Sequence, residues 1–227
     1  MKILVFAPHP DDEILGCGGT LARYVAEGAE VSVCIVTSPL PPVYDFRMEE
    51  GQNWPHIIYP EIKESHGILG IRNTIFLQFP CVILESVMRH EVNGKILEVM
   101  KAEKPDVVFI PHFGDMQKDH RVVAEAVMVA VRPKYSFAPR LVYSFECLSE
   151  TEWNIPHGAN AFIPNTYVNI SEYLEKKIEA FRCYRSQLGA FPDPRSPEAV
   201  EALARLRGST AGFYAAEAFA LIREYRP

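Results

Sequence analysis

The sequence predicts an α/β protein with a doubly wound, mainly parallel sheet and helices on both faces. Short apolar runs rich in β-branched residues alternate with longer segments of helical periodicity, which is the pattern of successive βαβ units. The first unit comprises the strand KILVFA (2–7), a helix at 18–29 that ends near Gly28, and the strand EVSVCIVT (30–37). Such a unit implies a right-handed crossover between parallel strands.

The remaining segments continue this alternation. Residues 38–57 contain four prolines and no clear periodicity, so they are expected to form a long loop. Ser171 is expected to cap a long amphipathic helix, and residues 212–225 fit either a helix or a strand. The expected helices are 61–71, 84–105, 118–133, 171–188 and 196–208, and the expected strands are 73–79, 106–111, 140–147 and 166–170.

Composition and charge restrict the class of protein. The net charge is −6 at pH 7 and no run of lysine and arginine stands out, which disfavours nucleic acid and anionic membranes as partners. The five cysteines are widely spaced without a C-x-x-C pair, which indicates reduced thiols and a cytoplasmic location. The first apolar run is too short for a signal peptide or a membrane span. The length of 227 residues favours a single domain, 1–227.

Two loops at one edge of the predicted sheet carry histidines and carboxylates. The segment HPDDE begins at His9, directly after the first strand, and HFGDMQKDH (112–120) follows the fourth. In a doubly wound sheet of order 3-2-1-4-5, strands one and four are neighbours, and ligands bind beyond their carboxyl ends. A catalytic zinc takes three ligands from His, Asp or Glu and leaves one position for water. His9, Asp12 and His120 are therefore predicted as metal ligands.

The other acids of these loops are assigned supporting roles. Asp11 lies between two predicted ligands, where it can take a proton from the attacking water as a general base. Asp119, beside His120, is expected either to orient an imidazole or to cap the following helix. A purely structural alternative is that PDDE favours a helix start through the helix dipole. Two histidine and acid clusters at adjacent strand ends favour the metal site.

The segment GCGGT (16–20) suggests a second alternative, a dinucleotide-binding turn. It lacks the full G-x-G-x-x-G spacing, and the three acids before it would repel a pyrophosphate. A nicotinamide cofactor is therefore disfavoured. The glycines are expected to let the start of the helix pack close to the acidic loop.

With these residues in view, the sequence resembles the zinc-dependent N-acetylglucosamine deacetylases of the PIG-L/LmbE-like family. The matching segments are VFAPHPDDEILGCGGTLARY (5–24), KDHRVVAEA (118–126), YVNISEYLEKKIEAFRCYRSQL (167–188) and RLRGSTAGFYAAEAF (205–219). The resemblance implies a Rossmann-like single domain that hydrolyses the acetamide of an amino sugar. Carried over by position, it implies His9, Asp12 and His120 as zinc ligands and Asp11 as the base.

Two positions depart from the family pattern. Many members have a histidine three residues before the last ligand, where this chain has Gln117. A glutamine amide can donate a hydrogen bond to a developing oxyanion, but it cannot act as an acid. Either Asp11 returns its proton to the leaving amine, or a residue of another loop, such as His112, assists. On the substrate side, Arg47 is expected to replace a missing family arginine as a contact to a substrate hydroxyl or phosphate.

The predicted function is metal-dependent removal of an N-acetyl group from an N-acetylglucosamine-type sugar or its conjugate. The expected metal is Zn²⁺, although Fe²⁺ or another divalent transition metal also fits this ligand set. The expected partner is a small amino-sugar substrate, with no nucleic acid and no membrane insertion, and the resemblance implies a homo-oligomer, a trimer or hexamer. Two alternatives stay open: an amidase acting on a thiol–sugar conjugate of the mycothiol or bacillithiol type, and a non-catalytic module that binds metal or sugar. The predicted site residues are Asp11, Gln117 and Asp119 for catalysis, Arg47 for the substrate, and His9, Asp12 and His120 for the metal.

Overall fold

The computed structural model describes residues 1–39 and 54–226, which form a seven-stranded sheet flanked by helices. The strand order is β3-β2-β1-β4-β5-β7-β6. The strands are β1 Lys2–Ala7, β2 Glu30–Ser38, β3 Asn73–Pro80, β4 Val107–Pro111, β5 Leu141–Phe145, β6 Thr166–Asn169 and β7 Ala216–Glu224. The helices are α1 Asp12–Ala26, α2 Trp54–Leu69, α3 Arg89–Glu103, α4 Lys118–Ala130, α5 Leu174–Arg182 and α6 Pro197–Ala211.

The predicted order 3-2-1-4-5 is confirmed for the first five strands, which pair in parallel. β7 lies between β5 and β6 and is antiparallel to both. The near-continuous apolar runs of the central strands are buried on both faces, as a parallel sheet covered by helices requires. The fold is therefore the doubly wound, mainly parallel α/β sheet predicted from the sequence.

Alternate residues of β1 supply two separate cores. Ile3 and Val5 pack on one face of the sheet with residues of α1, α2, α5 and α6. Leu4 and Phe6 pack on the other face with residues of α3 and α4. Since successive side chains of a strand point to opposite faces, a continuous apolar run is needed here. The helices that follow β1 and β4 thus lie on opposite faces, which opens a crevice at the carboxyl ends of these two strands.

Several helix boundaries differ from the sequence prediction. α1 begins at Asp12 rather than at 18, and Gly28 follows its end with a φ of +86°. α2 begins at Trp54 rather than at 61 and contains Pro60 within the helix. The expected helix 84–105 is divided into a short 3-10 turn at Leu84–Ser86 and α3. None of the helices in the described ranges has the length and apolar character needed to cross a membrane.

The segment after β6 also departs from the prediction. Ser171 does not cap a helix, because its hydroxyl donates to Asn169 Oδ1 at 2.6 Å and accepts from the Ala215 amide at 3.2 Å. The helix is α5, which ends at Arg182 rather than at 188, and Tyr184 beyond it is fully buried. Residues 212–225, which fit either structure in the sequence, contain the strand β7.

The glycines of GCGGT lie inside α1 and allow close packing, although Gly16 and Gly19 pack against Phe145 and Ile170 rather than against the acidic loop. A Cβ atom on Gly16 would lie 2.2 Å from Phe145 Cδ2, and one on Gly19 would lie 2.7 Å from Ile170 Cδ1. The segment is buried within a helix, so it is not a dinucleotide-binding turn.

A buried ion pair between α5 and β7 also forms hydrogen bonds to α1. Lys177 Nζ donates to Glu217 Oε1 at 2.6 Å and to the Leu15 carbonyl at 2.8 Å. The Glu217 carboxylate in turn accepts from the amides of Gly19 and Thr20. These contacts attach α1, which begins at the predicted site, to β7, a strand near the other edge of the sheet.

Candidate metal centre and adjoining pocket

The HPDDE segment turns from β1 into α1 through an unusual backbone conformation at Asp11. Its φ of +105° lies in the left-handed region, which costs a non-glycine residue of the order of 1–3 kcal/mol. The Asp11 amide donates to Glu13 Oε2 at 3.1 Å, and Glu13 Oε1 accepts from the Tyr184 hydroxyl and lies 3.2 Å from His66 Nε2. These buried contacts hold the turn in place. Although α1 starts here, the Asp11 side chain makes no cap hydrogen bond, so the helix start alone does not account for it.

The three predicted ligands converge on one point. His9 Nδ1 and His120 Nε2 each lie 3.3 Å from Asp12 Oδ2, and all three side chains are buried. Ligand atoms about 2.0–2.1 Å from a tetrahedral metal are about 3.3 Å apart, so both distances match the edge of such a site. His120 Nε2 has no hydrogen-bond partner among the described residues. A buried nitrogen without a partner is unfavourable, and a metal ion would satisfy it.

Each imidazole is oriented by a carboxylate on its other nitrogen. Asp119 Oδ2 accepts from His9 Nε2 at 2.9 Å, and Asp115 Oδ2 accepts from His120 Nδ1 at 2.8 Å. The remaining nitrogens are thus directed towards Asp12, which is the usual arrangement of histidine ligands. Asp119 was expected either to orient an imidazole or to cap α4. The N-cap of α4 is Gln117, so Asp119 has the first of these two roles, the contact to an imidazole.

Both orienting carboxylates are themselves held by hydrogen bonds. Asp119 accepts from the amides of Val82 (2.6 Å) and Leu84 (3.1 Å), which explains why the helix expected from 84 is interrupted. Asp115 Oδ1 accepts from the Thr151 hydroxyl at 2.6 Å. The sequence analysis did not identify Asp115. The available signal was an acid five residues before a proposed histidine ligand in the same loop.

The carboxylates of this cluster favour positive charge at its centre. Burial lowers the pKa of His120, but the charge of Asp12 and the hydrogen bond to Asp115 outweigh it and raise this pKa to about 10. Burial raises the pKa of Asp12, but the charge of His120 and its hydrogen bonds hold this pKa well below its usual value. A divalent ion would supply the same positive charge on binding and release the imidazole proton, so the donor set fits a metal.

Asp11 lies beside the three ligands and is paired with Arg195. Both Asp11 carboxylate oxygens are buried without a hydrogen bond from any described residue, and Oδ2 is 3.2 Å from Arg195 Nη1. Burial, partly offset by the charge of Arg195, raises the pKa of Asp11 to about 7. Arg195 is positioned by Ser149 Oγ (2.9 Å) and Gln187 Oε1 (3.2 Å). No motif or spacing in the sequence indicated Arg195.

A pocket of about 190 Å³ adjoins these groups. The backbone amide of Gln117 donates to Glu150 Oε2 at 3.1 Å. The side-chain oxygen of Gln117, Oε1, is buried without a hydrogen-bond partner in the described part of the chain. The Gln117 side chain therefore has hydrogen-bonding capacity to offer a ligand. The polar side chains that line the pocket are His9, Asp11, Cys81, Gln117, Ser186, Gln187 and Arg195.

His112, which the sequence analysis considered as an assisting residue, does not join the site. His112 Nε2 lies 3.0 Å from the Asn160 carbonyl, and its ring packs edge-on against Phe162. His112 is not among the residues that line the pocket. Arg47 lies outside the described residues, so its role stays a prediction.

The chain is similar to several known proteins. A diacetylchitobiose deacetylase of Thermococcus kodakarensis is 28% identical over 207 residues, which cover 85% of this chain and 71% of the relative. A probable N-acetyl-alpha-D-glucosaminyl L-malate deacetylase 2 of Bacillus cereus is 26% identical over 197 residues, covering 83% and 84%. The crystal structure of a conserved protein from Thermus thermophilus matches with a TM-score of 0.78 at 28% identity, covering 99% of this chain and 96% of that one. The PIG-L family model, GlcNAc-PI de-N-acetylase, matches residues 4–131, more than half of the sequence, and the chain therefore belongs to this family.

Proposed function

We propose that this chain is a metal-dependent hydrolase that removes the N-acetyl group from an N-acetylglucosamine-type amino sugar or its conjugate. The observation that carries the proposal is the convergence of His9, Asp12 and His120, with the Asp11 carboxylate beside them in the pocket. Membership of the PIG-L family supports the same reaction class. The two relatives are named for N-acetylated glucosamine units joined to different groups, which supports an acetamido sugar as the common substrate feature.

We assign the metal as Zn²⁺, with Fe²⁺ compatible with the same donors. His9 Nδ1, Asp12 Oδ2 and His120 Nε2 would hold it, since these atoms face one another. When bound, the ion supplies a Lewis acid that activates water and polarises the acetamide carbonyl. Asp115 and Asp119 keep the two imidazoles in the orientation that binding requires.

Asp11 is proposed as the general base. Its carboxylate oxygens accept no hydrogen bond from the described residues, so their lone pairs are available to take the proton of the attacking water. Arg195 favours the charged form of Asp11 that this step needs. Because Gln117 cannot supply a proton and His112 faces Asn160, Asp11 also delivers the proton to the leaving nitrogen.

Gln117 is proposed to bind the carbonyl oxygen of the acetamide. Its backbone is anchored by Glu150, and its side chain lines the pocket next to His9. Donation from Gln117 Nε2 would stabilise negative charge that develops on that oxygen. This role is one of hydrogen-bond donation only, which separates the chain from family members with histidine at this position.

We also propose that the chain acts in the cytoplasm as a single domain over 1–227. The five cysteines are buried thiols without a disulfide, which supports a reducing compartment. A homo-oligomer, trimer or hexamer, is a prediction that light scattering on the purified protein will test.

The decisive experiment measures acetate release by the metal-loaded protein and its Asp11→Asn variant. The substrates are N-acetylglucosamine, diacetylchitobiose, an N-acetylglucosaminyl malate and a thiol–sugar conjugate. We expect Asp11→Asn to lower kcat by ~10²–10⁴-fold while metal content is unchanged. Asp106→Asn is the matched control, because Asp106 is exposed and precedes the amino end of β4.

Each outcome discriminates between the functions. Full activity of Asp11→Asn would show that the assigned base is wrong. Acetate from none of these substrates, with no free amine formed from the thiol–sugar conjugate either, would overturn the deacetylase and favour a binding module, whereas free amine formed from that conjugate without acetate would favour the amidase.

A further inference from the structure

A second group of metal-binding side chains shares His9 with the first. His9, Cys81 and Asp119 each offer a ligand atom, these atoms lie within 4.8 Å of one another, and all three residues are buried. We infer that these side chains form a second metal site, selective for thiophilic divalent cations such as Cd²⁺ and, in excess, Zn²⁺, whose occupation inhibits the enzyme.

The two edges of the His9 imidazole face the two sites. Nδ1 lies 3.3 Å from Asp12 Oδ2, and Nε2 lies 2.9 Å from Asp119 Oδ2. An ion on the Nε2 edge would replace the hydrogen bond between His9 and Asp119. The proton of that hydrogen bond and the Cys81 thiol proton pass to solvent, as metal binding to such ligands requires. The first site keeps its own three donors.

The position of Cys81 is fixed by its neighbours. Its sulfur lies within 4.8 Å of the ligand atoms of His9 and Asp119, and its amide donates to the Ser38 carbonyl at 3.3 Å. The next residue, Val82, donates its amide to Asp119 at 2.6 Å, so the loop that carries the thiol is attached to the carboxylate of the same site. Cys81 and His9 both line the pocket, which gives an ion a route from solvent.

The two sites differ in chemical class. His9, Asp12 and His120 offer only nitrogen and oxygen, whereas the second site adds a sulfur donor. Soft thiolate ligands favour Zn²⁺ and cations of similar or greater softness over hard ones. A cadmium–thiolate bond absorbs in the ultraviolet, whereas cadmium bound to nitrogen and oxygen does not. Because the Cys147 thiol donates to Asp12 Oδ1 at 3.1 Å, Cd²⁺ separates the sites when the band persists in Cys147→Ser and is lost in Cys81→Ser.

Inhibition follows from the contacts that the second ion replaces. Asp119 no longer orients His9, and a cation enters the pocket beside the proposed base Asp11. This consequence rests on the proposed deacetylase function, but the binding of the second ion does not.

The test is a Cd²⁺ titration of metal-stripped protein, followed by ultraviolet absorption and by metal content. We expect wild type to bind two ions per chain and to develop the charge-transfer band of one thiolate. Cys81→Ser should bind one ion without the band, and His120→Ala should bind one ion with it. Cys183→Ser is the matched control that keeps the band, because the Cys183 thiol donates to the Glu179 carbonyl on α5. Circular dichroism melts establish that each variant is folded.

The outcomes separate this inference from the deacetylase proposal. A band of wild-type size in Cys81→Ser, or one ion per chain in wild type, overturns the second site whether or not the enzyme releases acetate. Where acetate is released, excess Zn²⁺ should inhibit wild type, and Cys81→Ser should need roughly tenfold more Zn²⁺ for the same inhibition. Equal sensitivity of the two proteins would refute the inhibitory role.

Discussion

Asp115 is expected to strengthen metal binding although it is not one of the proposed ligands. It is fully buried, accepts from His120 Nδ1 at 2.8 Å and accepts from the Thr151 hydroxyl at 2.6 Å. Asp115→Ala leaves both donors without an acceptor and leaves the His120 ring without the contact that directs Nε2 towards Asp12. The variant should therefore bind the metal more weakly.

The magnitude follows from the type of contact that is lost. Removal of a carboxylate partner from a ligating histidine typically lowers metal affinity 10–100-fold, or about 1.4–2.8 kcal/mol. One charge-assisted hydrogen bond contributes about 1.5–3 kcal/mol, which is the same range. Asp115→Asn keeps an acceptor of the same shape without the charge. Because a neutral hydrogen bond is roughly half as strong, we expect this variant to lose about three- to tenfold.

The assay is competition for Zn²⁺ between metal-stripped protein and a fluorescent chelator. Glu98→Ala is the control, since Glu98 is exposed on α3 and pairs with Lys95. A folded Asp115→Ala variant with an affinity within about twofold of wild type would refute the argument that Asp115 orients His120. If Asp115→Ala does not fold, the loss in Asp115→Asn decides the question.

Two further predictions concern charges that the sequence did not indicate. Arg195→Leu removes the cation 3.2 Å from Asp11, and because Arg195 lowers the pKa of Asp11, this pKa should rise in the variant. The acidic limb of the pH profile of kcat/KM should therefore move to higher pH, and kcat should fall by up to roughly tenfold. Steady-state kinetics across pH test this, and a change in KM alone would contradict it. Lys177→Ala leaves the Glu217 carboxylate buried without its cation and should lower the free energy of unfolding by about 3–5 kcal/mol, which urea melts will measure. The double variant Lys177→Met, Glu217→Gln should recover part of that loss. If the double variant is as unstable as Lys177→Ala, the loss does not come from an unpaired Glu217 carboxylate.

The sequence was sufficient to predict the sheet and the convergence of the two histidine and acid loops because both depend on local patterns. Apolar strands alternate with helices, and the two histidine and acid clusters each follow directly after a strand. Parallel strands end at one edge, so neighbouring β1 and β4 bring His9 and His120 together. The family resemblance rested on these loops and on two later segments, 167–188 and 205–219, and the match of residues 4–131 to the PIG-L model confirms it.

The rest of the site depends on contacts between distant parts of the chain. Arg195 lies in the loop before α6 and reaches Asp11 only because α5 and α6 pack on the same face of the sheet as α1. Cys81 lies in the loop after β3, and the sequence of this loop has no spacing that is typical of metal ligands. No local pattern could have placed either residue near His9.

The errors in the helix boundaries have physical reasons, as does the choice between helix and strand that the sequence left open at 212–225. The amphipathic pattern at 171–188 continues beyond α5, but Tyr184 is buried against Glu13 and the chain leaves the helix before it. Prolines obscured the start of α2, which accommodates Pro60. The last strand, β7, pairs with β5 and β6 as an antiparallel neighbour, a choice that depends on tertiary pairing and not on its own periodicity.

The place of β7 has a consequence for the order of events during synthesis. Seventh along the chain yet sixth across the sheet, it separates β5 from β6, so β6 has no partner strand until the ribosome has released residues 216–224. Until then Lys177 lacks its carboxylate and the Gly19 and Thr20 amides lack their acceptor. A nascent chain arrested before residue 216 should therefore be open to proteases around α1 and α5, even though every metal ligand has already emerged.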